Sequence, residues 1–284
     1  MSLDLKQLSA LLDEEIIDSR YLTQGQIGDI YRVSTATREL VVKSSESAGQ
    51  LSIGARMLQD LAEEGIRVPE VVACDDQMLA MEWIEQCALP REIEETEAAK
   101  SIAALHSVSN DARMYGYWYD TTIASFPQHN EQTQYNWGLF LGQMRIMPMA
   151  EICYERGYLD RATMKRLERL SRDIYKLIDM SQITPSLLHG DLWSGNILFA
   201  HAGAVLIDPA IYFGDKEMDL AFLRMFDTFG DTFWETYERM HPLSDDFETV
   251  KVPLYQLYPI LVHIALYGEQ YRGHLEKNLR ILKL

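Results

Sequence analysis

Asp191, Asn196 and Asp208 stand in two short runs, Leu188-His189-Gly190-Asp191-Leu192-Trp193-Ser194-Gly195-Asn196 and Ile207-Asp208-Pro209. They supply a carboxylate, an amide five residues later and a second carboxylate twelve residues beyond that. Phosphoryl transfer from ATP needs such parts in this order: a base to orient the attacking hydroxyl, then oxygen ligands for the Mg²⁺ that bridges the phosphates. Asp191 suits the base, and Asn196 and Asp208 suit the metal. The tripeptide His189-Gly190-Asp191 alone carries little weight, since a capped turn accounts for it. The joint pattern is more restrictive. Apolar runs at 186–188, 197–199 and 204–207 place each polar group at the end of a strand.

The elements that must hold this chemistry follow from periodicity. Leu5, Leu8, Leu11, Leu12 and Ile16 recur at helical spacing, which predicts a leading helix over 4–18. From Ile16 to Lys43 short β-like runs take over: Tyr21-Leu22, then Ile30 to Val33, then Leu40 to Lys43. A helix from about Ala48 to Ala62 stops near Gly65, and Val71 to Ala73 and Met78 to Ile84 complete a five-stranded sheet. Gly25 and Gly28 lie in the first hairpin connection, where glycine lets backbone amides approach phosphates. Two glycines in a turn are ordinary; their place before a strand ending in Lys43 is what gives them weight. Lys43 can be a solubility lysine on a sheet edge or the group that meets the α and β phosphates. The kinase layout favours the second reading. The connector at Glu82-Trp83-Ile84 is placed to hold adenine through the Glu82 carbonyl and the Ile84 amide.

One part of that layout is missing. A kinase lysine pairs with a Glu on the following helix, yet the expected stretch here is Ser52-Ile53-Gly54-Ala55-Arg56. Glu46 falls too early, and Glu63 and Glu64 fall at the helix end.

After Cys87 the pattern is helical, with stretches at 92–108, 131–156, 160–181, 216–240 and 251–282. The expectation is an α+β, bilobal, protein-kinase-like fold. Residues 1–84 form a small β-rich ATP-binding lobe, and residues 85–284 form a larger, mainly helical lobe with the catalytic and acceptor groups. His189 and His106 are expected to be structural. Asp219 either caps a helix start or braces the catalytic loop from behind.

Composition excludes some classes. Forty-three acidic against 26 basic residues give a formal charge of −17, which argues against nucleic acid as a partner. No apolar run is long enough to span a bilayer, and the start lacks the plan of a signal peptide. Three widely spaced cysteines, Cys74, Cys87 and Cys153, fit reduced thiols in a cytoplasmic protein. The ATP phosphates need local neutralisation by metal, lysine and backbone amides.

These residues resemble the fructosamine kinase (ketosamine-3-kinase) family, a branch of the aminoglycoside- and choline-kinase-like folds. The likeness rests on Leu188 to Asn196, whose Trp193-Ser194 pair stands where aminoglycoside kinases commonly have His-Pro. Ile207-Asp208-Pro209-Ala210, Tyr212-Phe213-Gly214 and Glu217-Met218-Asp219-Leu220-Ala221 are also similar. So are Pro127 to Asn130 with Trp137 and Arg145, and Leu254 to Tyr258. Two departures stand out: Gly214-Asp215-Lys216-Glu217 replaces a Gly-His-Arg-Glu segment, and the small-lobe helix lacks its acid. The resemblance implies transfer of the γ-phosphoryl group of ATP to the O3 hydroxyl of a ketoamine or glycated amine. The cofactors are then ATP and Mg²⁺, and Trp193 covers a sugar face. Phosphorylation at O3 makes the sugar–amine linkage labile, so the implied role is removal of glycation. Two alternatives stay open: a kinase for an aminoglycoside, choline or free sugar, and a nucleotide-binding pseudokinase acting as an interaction module.

Overall fold

A computed structural model describes residues 3–46, 49–110, 112–130 and 136–284. Helix α1 (Leu5–Leu12) begins at Asp4, whose carboxylate accepts from the Lys6 and Gln7 amides, and ends at Asp13 in the left-handed region at φ 53°. It is shorter than the periodicity predicts. Ile16 opens strand β1 instead and pairs with Thr35, so sheet pairing overrides the helical spacing there.

Strands β1 (Ile16–Gln24), β2 (Asp29–Thr35), β3 (Glu39–Ser44), β4 (Val71–Cys74) and β5 (Met78–Glu82) form an antiparallel sheet in the order β1-β2-β3-β5-β4. Alternation along each strand decides which face a residue takes. Leu40 and Val42 join Leu8, Leu12, Val33, Met78 and Ala80 in a small core under α1. Helix α2 (Gln50–Glu63) covers the opposite face, where Leu51, Leu58 and Leu61 pack with Leu79 and Met81. Each fully buried Leu or Val contributes roughly 1.5–3 kcal/mol. Lys43 falls out of step with Leu40 and Val42, so it projects on the α2 side.

The second lobe begins with α3 (Arg91–Ser107) and the short hairpin β6 (Thr121–Ile123) and β7 (Phe126–Gln128). Next come α4 (Trp137–Phe140), a π-helical turn at Leu141–Ile146, α5 (Met147–Glu155) and α6 (Arg161–Asp173). The predicted stretch 131–156 thus appears from 137, with residues 131–135 outside the described residues. Strand β8 (Ser186–Leu188) pairs with β11 (Tyr212–Gly214), and β9 (Ile197–Ala200) pairs with β10 (Gly203–Leu206).

Helices α7 (Glu217–Met225), α8 (Asp231–Met240), α9 (Val252–Tyr255), α10 (Leu257–Tyr267) and α11 (Arg272–Ile281) complete the chain. The sequence pattern joins several of these into longer helices. The breaks before α8 and α11 fall where φ turns positive, at Asp227 (φ 48°) and Gly268 (φ 82°), while α9 and α10 meet at Gln256, which keeps a right-handed backbone. One large core joins α2 and the inner sheet face to the helical lobe. Cys74, Cys87 and Cys153 are all free thiols. Among the described residues no helix is long and apolar enough to cross a membrane.

Candidate active site

Two strand pairs present the segment that carries the candidate residues. Asp191 follows β8, Asn196 precedes β9 and Asp208 follows β10. Pairing β8 with β11 and β9 with β10 draws Asp191 and Asp208, seventeen apart in sequence, into one site: the Ile207 amide donates to the Asn196 carbonyl at 3.0 Å, and the Ala210 amide donates to the His189 carbonyl at 2.7 Å. The turn between leaves no room for a side chain at Gly190. Its φ is +80°, and a Cβ there would lie 2.0 Å from the Ala210 carbonyl oxygen.

His189 is completely buried and neutral. Its Nε2 donates to the Ile207 carbonyl at 2.9 Å, and its Nδ1 accepts from the Asp191 amide at 3.3 Å. Burial lowers its pKa, which suits a tautomer spent on two backbone contacts. Behind it the Asp219 carboxylate accepts from the His189 amide at 2.7 Å and the Gly190 amide at 3.0 Å. His106 in turn lies 3.3 Å from that carboxylate through Nε2 and 2.7 Å from the Tyr237 hydroxyl through Nδ1. Of the two expectations for Asp219, bracing the loop is the one these contacts describe.

Asn196 donates through Nδ2 to the Asp191 carbonyl at 2.8 Å and to its carboxylate at 3.1 Å. Those bonds fix the amide, and its oxygen is the end that can meet a cation. Desolvation pushes the Asp191 carboxyl up to about 7; the Asn196 amide opposes this, while Asp208 and Asp219 add to it. Asp208 occupies the left-handed region at φ 53° with an exposed side chain. Backbone strain of this kind is concentrated at functional sites. Its carboxylate pairs with the Lys43 ammonium across the two lobes.

These groups share one cleft of about 550 Å³ between the lobes, lined by Gly25, Gly28, Lys43, Asp191, Trp193, Asn196 and Asp208. Gly28 lies so close to β3 that a Cβ would stand 2.0 Å from the Ser44 carbonyl oxygen. Leu79 and Met81 of β5 and Leu51 of α2 form an apolar wall. On the opposite side Trp193, 39% exposed, leans on Phe226 with ring centroids 5.9 Å apart, and His263 and Tyr267 of α10 continue the aromatic surface. The Gln26 amide donates to the Tyr267 hydroxyl at 2.5 Å, tying the glycine turn to α10. A wider, more open hollow of about 930 Å³ between α2 and β4 contains none of the proposed chemical groups.

Glu82, Trp83 and Ile84 do not line the cleft. The Glu82 side chain pairs with Arg67 at 2.7 Å, the Trp83 indole donates to Glu85 at 2.9 Å, and the Trp83 amide continues the ladder to the Glu39 carbonyl at 3.3 Å. The aromatic face on α10 and the Gln26–Tyr267 contact escaped the sequence reading. Nothing in the local pattern of an apolar helix seventy residues downstream marks Tyr267 as a neighbour of Trp193.

Among the described residues, no three His, Cys, Asp or Glu side chains form a self-sufficient metal cluster. The donor set here is one carboxylate, Asp208, and one amide oxygen, Asn196. Mg²⁺ is suited by such sparse oxygen ligation, because phosphates and water complete its shell. The residues therefore fit the ion.

Two lobes, with this site between them, define a phosphotransferase of the protein-kinase-like fold. The fructosamine kinase family profile matches residues 4–283, and the chain belongs to that family. A protein of Thermus thermophilus named a probable ketoamine kinase is 32% identical over 252 residues, covering 87% of this chain and 88% of its own. A crystal structure of a candidate fructosamine-3-kinase from Thermobifida fusca superposes with a TM-score of 0.88 at 30% identity, covering 99% of both chains. An aminoglycoside phosphotransferase solved with ADP and hygromycin B shares the fold alone, at 13% identity with a TM-score of 0.69 over 99% of each chain.

Proposed function

We propose that this protein transfers the γ-phosphoryl group of ATP to the O3 hydroxyl of a ketosamine, a step in removing glycation from amines. The observation that carries the reading is the Asp191–Asn196 pair in one cleft with Trp193 and Lys43. Asp191 accepts the acceptor's hydroxyl proton as the new O–P bond forms and the bond to ADP breaks. Its raised pKa, near neutrality, makes it a competent proton acceptor at physiological pH. Bound Mg²⁺ would supply charge neutralisation between the phosphates, held by Asn196 and Asp208. Lys43 and the amides of the Gly25–Gly28 turn steady the phosphates, and adenine lies against the apolar wall of Leu51, Leu79 and Met81. Trp193 covers the sugar. Catalysis of this kind is positioning plus electrostatics.

Family membership supports a ketosamine as acceptor, and Trp193-Ser194 beside Asp191 supports the sugar-stacking role. ADP release measured across ketosamines and aminoglycosides tests the choice. Highest kcat/KM on a low-molecular-weight ketosamine is expected, and preference for an aminoglycoside would contradict it.

A further inference from the structure

Lys43 needs a counter-ion, and α2 does not supply one. The α2 residues on the cleft are Gln50, Leu51, Gly54, Met57 and Leu58, a single helical face with no acid. Asp60 lies elsewhere on the helix, where its carboxylate accepts from the Tyr117 hydroxyl at 3.0 Å and the Tyr119 hydroxyl at 2.7 Å. Glu63 and Glu64 stand at the helix end. The carboxylate that meets the Lys43 ammonium is Asp208. Gly54, in mid-helix on the cleft face, has open space where a side chain would begin. Glycine is costly inside a helix, and no neighbour requires its lack of a side chain.

We propose that in this chain Asp208 takes over the counter-ion role of a helix acid, so that one carboxylate both anchors Lys43 and serves the metal. Gly54 is the position where a separate anchor has been left out. It follows that a divalent cation and Lys43 compete for Asp208 until phosphate takes the lysine, which couples metal binding to nucleotide binding. The inference rests on the nucleotide-site reading of Lys43 and Asp208, though not on the identity of the acceptor.

The test uses full-length protein without metal or nucleotide, with lysine side-chain nitrogen labelled for NMR. The Lys43 ammonium, assigned through Lys43→Arg, should be as rigid as a held group in the wild type. It should become as mobile as exposed lysines in Asp208→Asn and regain rigidity in Asp208→Asn combined with Gly54→Glu. Separately, Mn²⁺ binding followed by electron paramagnetic resonance should tighten about fivefold in Gly54→Glu, the scale of one partly exposed ion pair. The double variant should lose that gain. A Lys43 ammonium that stays rigid in Asp208→Asn overturns the proposal, as does a Mn²⁺ gain that is missing in the single variant or persists in the double one. Mg·ATP titration of the wild type reports independently on the nucleotide-site reading: no binding there sinks that reading while the ammonium result still stands or falls alone.

Discussion

At the scale of the residue, Asp191 is surrounded by groups with different effects on its proton. Burial raises its pKa, the Asn196 amide opposes the rise, and Asp208 and Asp219 reinforce it. Asp191→Asn should lower kcat by about 10²- to 10⁴-fold, the range of a general base, while Mg·ATP affinity changes little. Undiminished turnover on the best acceptor would remove Asp191 from the role. The sign of the pH effect follows: only the carboxylate accepts a proton, so kcat/KM should fall as pH drops through about 7. Cation held at Asp208 opposes the rise, so excess Mg²⁺ should move the inflection downward. An inflection that rises with Mg²⁺ would contradict the assignment. Asp208→Ala should weaken Mg·ATP binding more than Asn196→Ala, since a carboxylate is the stronger ligand for a hard cation. Equal, unimpaired affinities in a calorimetric titration would place the metal elsewhere. That these three residues share one cleft was legible in the sequence because the strands that bring them together lie close along the chain. The partner of Lys43 was not, because 165 residues separate it from Asp208 and only the packing of the lobes joins them.

At the scale of the element, the His189–Asn196 loop is held from behind by α7 and its neighbours. Asp219 in the first turn of α7 accepts from two amides of the loop, and Asp215 and Glu217 just before it surround the buried Lys251 at 2.9 and 2.7 Å. The Tyr255 hydroxyl adds a bond to Asp215 at 2.6 Å. Asp215 marks a departure from the related Gly-His-Arg-Glu segment, and the structure gives it a partner of its own. Burial works against the Lys251 ammonium, but Asp215 and Glu217 more than offset it and hold its pKa above the ordinary lysine value. Lys251→Met should destabilise the fold by about 3–5 kcal/mol by stranding two buried carboxylates, read as a shift in the urea midpoint. A loss below about 1 kcal/mol would mean the carboxylates find other partners or protons. The sign of the linkage is also fixed. With a folded pKa above the unfolded one, this pair stabilises fully below the unfolded lysine pKa and is lost as pH rises through the folded one. The sequence pattern located these helices but merged α7 with α8 and α9 with α10 and α11. Periodicity does not register a left-handed residue such as Asp227, and residue types tolerant of that conformation occur inside helices too.

At the scale of the whole molecule, the two lobes meet along a cleft whose walls differ. The sheet side is apolar with one cation, and the α10 side is aromatic. The five strands of the sheet, the α2 helix and the main helical stretches were accessible from alternation and helical spacing, because those patterns report which face each element buries; the strand order β1-β2-β3-β5-β4 was not, because alternation carries no information on pairing. The junction was not: Gln26 meeting Tyr267 joins residues 241 apart, and neither residue type signals the contact. Trp193 belongs to this shared surface. Trp193→Ala should lower kcat/KM for a ketosamine while leaving ATP affinity little changed, since discrimination lies in transition-state binding; intact ketosamine turnover in that variant would remove the stacking role. The central claim, transfer to O3 of a ketosamine, is tested most directly by the product itself. Incubating wild-type protein with Mg·ATP and a fructosamine, then reading the phosphorus–proton couplings of the product by NMR, locates the new phosphate. The expected result is a phosphorus signal coupled to the proton on C3, formed by the wild type and absent with Asp191→Asn. A phosphate on another hydroxyl, or no phosphorylated sugar at all, would contradict it.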